Sequence, residues 1–411
     1  MARTFADSSQ LPRPLVLSSI GFLTRSIPIS IVESSLLKCS KQGVRKRLLP
    51  SSFLVYFVIC LSLYMGFSHE EVLRKVVEGF RYLKFFKKDN YEIATKGAIS
   101  RARSRLGWEV METIFKSIVL PLSTPQTRGS WYRNWRLMAI DGTTLSVPAT
   151  NENIAAFGMH GSKEGPSAFP IVRMMALVET GTHVIIDAAF DACSQSEFTI
   201  AEKLLPSLTP EMLLLEDRGF VGYNWWQKVR ATGVEVICRV RDNMKFLVET
   251  QLSDGSFLSV LRNPANSKEE PVVVRVIAYK VTGMPDKGKT YRIVTSILDS
   301  KKCPSDELAA LYHERWEIEN LFDEFKTHVR GGAQVILRSQ TPDMVKQELY
   351  GLILAHYTVR AIMHESALQV DEDPDKISFT HTINVIRRKL PHAATIFSPE
   401  RFNASDKRNN K

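Results

Sequence analysis

Between residues 131 and 240 the spacing of apolar residues changes from the helical period to the strand period, which leaves few architectures open. WRLMAIDGTTLSV alternates and is rich in β-formers. IVRMMALVETGTHVIIDAAF reads as two strands joined at a turn around Glu179 to Thr182. SEFTIAEKLLPSL follows as an amphipathic helix, EMLLLEDRGF as a short buried strand ending in a turn, WWQKVRATG as a helix and VEVICRV as another strand. Several strands followed by alternating helix and strand predict a mixed α/β domain.

The flanking segments read differently. Residues 1 to about 130 are helical in pattern. Ser68 with Glu71 predicts the start of one helix, and Thr95 caps another that carries Arg101, Arg103 and Arg105. A short helix, a turn and an arginine-rich helix form a shape that can enter a major groove, and the cluster Arg45, Lys46, Arg47 adds phosphate contacts. Phe53 to Phe67 is apolar but too short to span a bilayer, so it predicts a buried helix. Residues 241 to about 300 hold the strand-like pieces PVVVRVIAYKV and TYRIVTSIL between polar loops around Asn263 to Glu270 and Gly283 to Gly288. They predict a β-rich insertion. A long apolar helix over Met344–Ala367 and a basic tail, SDKRNNK, close the chain.

Charge gives the partner class. A formal net charge of +10 over 411 residues favours a polyanion, most simply nucleic acid or an anionic membrane surface. Five cysteines, none spaced C-x-x-C, predict reduced thiols in a reducing compartment rather than a disulfide scaffold or structural zinc. The first thirty residues hold no continuous apolar core, so no secretory signal is expected, and the protein is expected in the cytoplasm.

Two acids end strand patterns: Asp141 after Leu137–Ile140, and Asp217 after Leu213–Glu216. Side chains at strand ends converge in α/β folds. Carboxylates brought together repel, so a cluster calls for a cation or a shared proton. Each acid taken alone also reads as an ordinary turn. A third acid lies in YHERWEIENLFDEFK, residues 312 to 326. At about 100° per residue, Tyr312, Arg315, Glu319 and Lys326 fall within an arc of roughly 60°. Beside them Leu311, Ile318, Phe322, Phe325 and Val329 form a core-facing stripe. On its own such a charged stripe is as readily a solvated face. Asp323 lies near the same arc and rivals Glu319. Three oxygen-donor acids would suit Mg²⁺ or Mn²⁺ and phosphoryl transfer.

Tyr312-x2-Arg315-x3-Glu319-x6-Lys326 resembles the Y-R-E-K signature of insertion sequence four family transposases. IDGTTL around Asp141 and LLLEDRGF around Asp217 resemble that family's first and second acid motifs. The stretches GPSAFPIVRMMALVETGTH, ELYGLILAHYTVRAIM, RKRLLPSSFLVYFVICLSL and KGAISRARSRLG are also similar to family sequence.

The resemblance implies an RNase H-like catalytic core with a β-rich insertion and an all-α N-terminal DNA-binding domain. The expected boundaries are 1–130 for the helical domain, 131–240 for the first part of the core and 241–305 for the insertion. Residues 306–370 would close the core, with a C-terminal segment at 371–411. It implies that Asp141, Asp217 and Glu319 hold metal, two Mg²⁺ or Mn²⁺ ions, for nicking at an element end and attack by the freed 3′-OH. Tyr312, Arg315 and Lys326 would grip DNA near the cut, including a flipped base. The implied partners are double-stranded DNA, at inverted-repeat ends and target, and a second copy of the chain in a synaptic complex, with no membrane. The insertion lacks the tryptophan on which some family members stack the flipped base, which leaves Phe246, Phe257, Tyr279 or Tyr291 as substitutes. A decayed DNA-binding regulator and a metal-dependent nuclease are the rival readings.

Overall fold

Six helices come first among the described residues: α1 (Ser19–Ser26), α2 (Ile29–Lys38), α3 (Ser51–Leu63), α4 (His69–Phe80), α5 (Lys96–Leu106) and α6 (Glu109–Ile118). The computed structural model describes residues 19–43, 48–80, 93–162, 165–280, 290–329, 331–332 and 335–389. Arg45, Lys46 and Arg47, the Gly283–Gly288 loop and the basic tail therefore lie outside the described residues. The expected caps form. Ser68 Oγ accepts from the Glu71 amide at 3.1 Å, and Thr95 Oγ1 from the Ala98 amide at 3.3 Å.

The strands follow. β1 (Trp131–Tyr132) pairs with β2 (Trp135–Ser146), and α7 (Asn151–Phe157) leads to β3 (Met159–Ser162), β4 (Gly165–Glu179) and β5 (Val184–Ala192). Then come α8 (Glu197–Ala201), β6 (Met212–Glu216), α9 (Tyr223–Ala231) and β7 (Glu235–Arg239). In space these strands run β5–β4–β2–β6–β7, with β4 and β5 antiparallel and β2, β6 and β7 mutually parallel. That order, third–second–first–fourth–fifth of the core strands, is the RNase H-like arrangement the sequence led us to expect. Trp226 and Val229 of α9 pack with Leu214, Val236 and Val294 in one buried cluster against the sheet.

The insertion extends this sheet. β8 (Thr250–Gln251), β9 (Phe257–Leu261), β10 (Val272–Lys280) and β11 (Thr290–Thr295) continue it through an antiparallel β7–β11 pairing. It is also tied to the helix beyond it. Arg275, fully buried, donates to Ser256 Oγ at 2.8 Å, to the Cys303 carbonyl at 2.7 Å and to Asp254. Asp254 accepts in turn from the Ser305 amide at 3.0 Å, where α10 (Ser305–Leu311) begins. The insertion thereby fixes the start of the helix that leads into the signature residues.

After α10, Tyr312–Trp316 is a 3₁₀ turn, α11 (Glu317–Asp323) is α-helical, and Glu324–Val329 is π-helical. The single regular helix expected over 312–326 is therefore three short pieces of different pitch. α12 (Pro342–Gln369) and α13 (Phe379–Lys389) complete the chain.

The described residues divide into two compact units. One comprises Pro121–Leu145 and Ile154–Phe322. The other comprises Met1–Leu120, Ser146–Asn153 and Asp323–Lys411. In the second, α3 is buried from Phe53 through Leu63, as its apolar run demands, and α12 packs along it. The helices touch at Gly351, where an added Cβ would lie 2.9 Å from Val58 Cγ1 and 3.2 Å from the Val58 carbonyl oxygen. A carbonyl on a fully buried helix cannot retreat alone, so a larger side chain must separate the helices. Gly351→Leu is expected to cost about 3 kcal/mol by overpacking. An unchanged urea midpoint would contradict that close approach.

Candidate active site

The site grows from the register of β2 and β6. Ile140 pairs with Glu216 as the last rung of the parallel ladder, so Asp141 and Asp217 follow at the same register position. β2 runs on to Ser146, so Asp141 stands mid-strand instead of at the strand end expected of it, and Asp217 lies just past the end of β6. Asp217 is fixed on the protein side: its carboxylate accepts from the Arg218 amide at 2.6 Å and its carbonyl from Cys238 Sγ at 3.0 Å. The Asp141 carboxylate accepts from the Gly142 amide at 2.7 Å.

The 3₁₀ turn supplies the remaining groups. Its threefold repeat eclipses residues i and i+3, so Tyr312 and Arg315 project together. Tyr312 Oη donates to the Glu216 carbonyl at 3.0 Å, and Arg315 Nη1 lies 3.6 Å from Asp141 Oδ2. Arg315 Nη2 reaches Glu319 Oε1 at 3.1 Å. One guanidinium thus links the first and third acids. It is nearly buried, and its Nε has no hydrogen-bond partner among the described residues.

The electrostatics follow from that crowding. Burial pushes the Asp141 carboxyl up to about 6, and the Asp217 and Glu197 charges add to it, against the Gly142 amide and Arg315. A carboxyl so raised gains from a cation. The donors are all oxygens, one from mid-strand β2 and one from just past the end of β6, which suits a hard divalent ion. The residues present therefore fit such a metal.

Two residues expected at DNA are turned inward. Tyr312 is 3% exposed and spends its hydroxyl on the strand end, so it braces β6 instead of offering itself to a strand. Arg103, also 3% exposed, donates from Nε to Gln347 at 3.0 Å and from Nη2 to Ser339 at 3.3 Å, packing α5 within the helical unit. Arg101 and Arg105 on the same helix are exposed. Lys326 is half-buried on the π-helical piece, and Asp323 is exposed with Thr327 donating to it at 2.9 Å. Of the aromatics, Phe246 and Phe257 pack against the core. Tyr279 and Tyr291 face each other across β10 and β11 with centroids 5.9 Å apart. Arg239 lies 4.9 Å over Tyr291, and His313 stands edge-on to Tyr279.

The sequence reading passed over Glu216. It alternates to the face opposite Asp217, is fully buried, and accepts from Trp225 Nε1 at 2.7 Å, while its Oε2 has no hydrogen-bond partner among the described residues. Burial pushes its carboxyl up to about 8, with the Trp225 N–H pulling the other way. An unfolded glutamate titrates near about 4.3. The folded protein therefore holds a proton that the unfolded chain has lost, and stability falls as pH rises from roughly 4.3 through 8. Glu216→Gln removes this penalty. The variant's melting temperature relative to wild type is expected to be higher at pH 9 than at pH 6. Parallel pH profiles would show that Glu216 is ionised in the fold.

Residues 136–357 match the family model described as the transposase DDE domain, more than half of the chain. The chain is a DDE transposase. Residues 17–116 match the insertion element 4 transposase N-terminal model, which places it in the insertion sequence 4 family. The transposase InsG of insertion sequence element IS4 from Escherichia coli K12 is 28% identical over 352 residues, spanning 84% of this chain and 77% of that protein. The putative transposase InsZ of the same strain is 24% identical over 224 residues, 53% of this chain and 68% of that one. Among solved structures, a piggyBac transposase synaptic complex with hairpin DNA aligns over 96% of this chain and 85% of its own at a TM-score of 0.45 and 10% identity. The transposase is thus a polynucleotidyl transferase acting on DNA, and its domain implies dependence on a divalent metal ion. No helix among the described residues is long and apolar enough to cross a membrane.

Proposed function

We propose that this transposase binds the inverted-repeat ends of its own element in the cytoplasm, as a homodimer in the synaptic complex. It would cut there and join the freed end to target DNA, with Asp141, Asp217 and Glu319 holding two Mg²⁺ ions. The observation that carries this is the pair of acids at one register position on adjacent parallel strands, just beyond the last rung of their ladder, with Arg315 linking Glu319 to Asp141. When bound, the ions supply Lewis-acid activation of the attacking hydroxyl and stabilise the leaving oxygen.

The chain's own residues do the rest. The adjacent strands β2 and β6 hold Asp141 and Asp217, and Tyr312 braces the second of them through the Glu216 carbonyl. Arg315 keeps Glu319 drawn toward Asp141 and supplies positive charge for a phosphate, a task shared with Lys326. Arg101 and Arg105 add phosphate contacts from the helical unit. Tyr279 and Tyr291, with Arg239, offer the stacking surface for an unpaired base that the insertion's missing tryptophan would otherwise supply.

The test is a cleavage time course on labelled element ends with a target plasmid, run in EDTA, Ca²⁺, Mg²⁺ and Mn²⁺. Mg²⁺ should support cutting and joining, and Mn²⁺ should do so with looser specificity. Ca²⁺ should permit DNA complexes but stall cleavage, because its larger, flexible shell misplaces the reacting oxygens. Cutting in EDTA, or a covalent adduct through Tyr312, would overturn the proposal. Binding without cleavage would mark a regulator, and cleavage without joining a nuclease.

A further inference from the structure

The helical unit contains an open cleft of about 560 Å³ that neither the acids nor the signature residues use. Tyr64 and Phe67, beyond the end of α3, form one wall with Lys75 of α4. Arg387, Arg388 and His381 of α13 form the other. No carboxylate lines it among the described residues. Glu71 lies 3.6 Å from Lys75 Nζ, and it is shared with Arg74 at 3.2 Å. Three cations therefore converge on a hollow with little negative charge to balance them.

Two of these groups are held in place. The Lys75 ammonium sits 4.9 Å over the Phe67 ring. Arg387 Nε donates to the Leu63 carbonyl at 2.5 Å, and the Arg387 carbonyl accepts from Tyr64 Oη at 2.7 Å, which joins the two walls. Arg388 is exposed and makes no ion pair among the described residues. Phe67, 46% exposed, presents a ring beside the cations. A concave cluster of cations focuses potential on an anion, and an exposed ring beside it suits a sugar or base face.

We propose that this cleft holds a backbone phosphate of DNA, a grip built wholly from the helical unit by Lys75, Arg387 and Arg388. The inference rests on the reading of the chain as a transposase that binds element ends. It also places DNA contact on the last described helix, well outside the arginine-rich α5.

The experiment uses the full chain and a fluorescent duplex taken from the DNA flanking its gene, with affinity measured across a salt series. Lys75→Gln with Arg388→Gln removes two charges at the cleft and leaves Arg387, which holds the walls together, in place. Arg25→Gln with Lys116→Gln removes two exposed charges of the same unit outside the cleft. The cleft pair should flatten the log–log salt dependence by about 0.9, the share of the one phosphate held there, while the control pair leaves it near wild type. If wild type binds and the cleft pair matches it, or matches an equally weakened control, the inference fails and the transposase reading stands. If wild type itself shows no binding to the duplex, both fall.

Discussion

Asp141→Ala, Asp217→Ala and Glu319→Ala should each abolish strand cleavage while leaving DNA binding close to wild type. Asp141 stands midway along β2 and Asp217 just past the end of the neighbouring parallel β6, and no nearby carboxylate on those strands can replace either one. Glu216 alternates to the opposite face and is committed to Trp225. Losing Lewis-acid activation removes several kcal/mol of transition-state stabilisation, which is on the order of 10³-fold or more in rate. Cleavage and binding should be measured on the same preparation, in Mg²⁺ and in Mn²⁺. Normal cutting by Glu319→Ala beside an inactive Asp323→Ala would transfer the third role to Asp323.

Arg315→Ala is expected to move ion binding and turnover in opposite directions. Its guanidinium lies 3.6 Å from Asp141 and 3.1 Å from Glu319, so it already offsets part of the repulsion that a divalent ion would relieve. Without it the acids should bind Mn²⁺ more tightly in the absence of DNA, by about tenfold for a partly screened charge. Cleavage should nevertheless fall by about 10²-fold, because Glu319 is no longer held toward Asp141 and the phosphate loses a cation. Calorimetric titration with Mn²⁺ and single-turnover cleavage provide the two readouts. Unchanged values in both would make the arginine a bystander.

Some of this was legible from the chain because local rules governed it. An apolar run before an acid reads as a strand ending there; that rule holds for Asp217, just past β6, but β2 runs on to Ser146 and leaves Asp141 mid-strand. Ser68 and Thr95 were legible as caps for the same reason. What stayed hidden depended on partners far along the sequence. Arg103 looks like a surface cation until Gln347 and Ser339, more than 230 residues away, accept its hydrogen bonds. Tyr312 looks like a free phenol until the Glu216 carbonyl is beside it. The changes of pitch along 312–329 were hidden too, since one average period fits all three pieces. The insertion's composition marked it as β-rich, but nothing local said that its strands would join the core sheet.

The burial of α3 against α12 bears on how the element controls itself. A ribosome makes α3 early and α12 some 280 residues later, so the first helices emerge with an uncovered apolar rod that only the last part of the chain can sheathe. Until then the nascent protein has no finished helical unit for the element-end binding proposed above. A copy of the gene broken before α12 would yield a chain left for proteolysis, not a stable truncated binder that occupies the ends and blocks its intact siblings. Damaged copies in the same genome would thus fall silent instead of becoming dominant repressors, and a full-length chain would meet little competition from its own remnants.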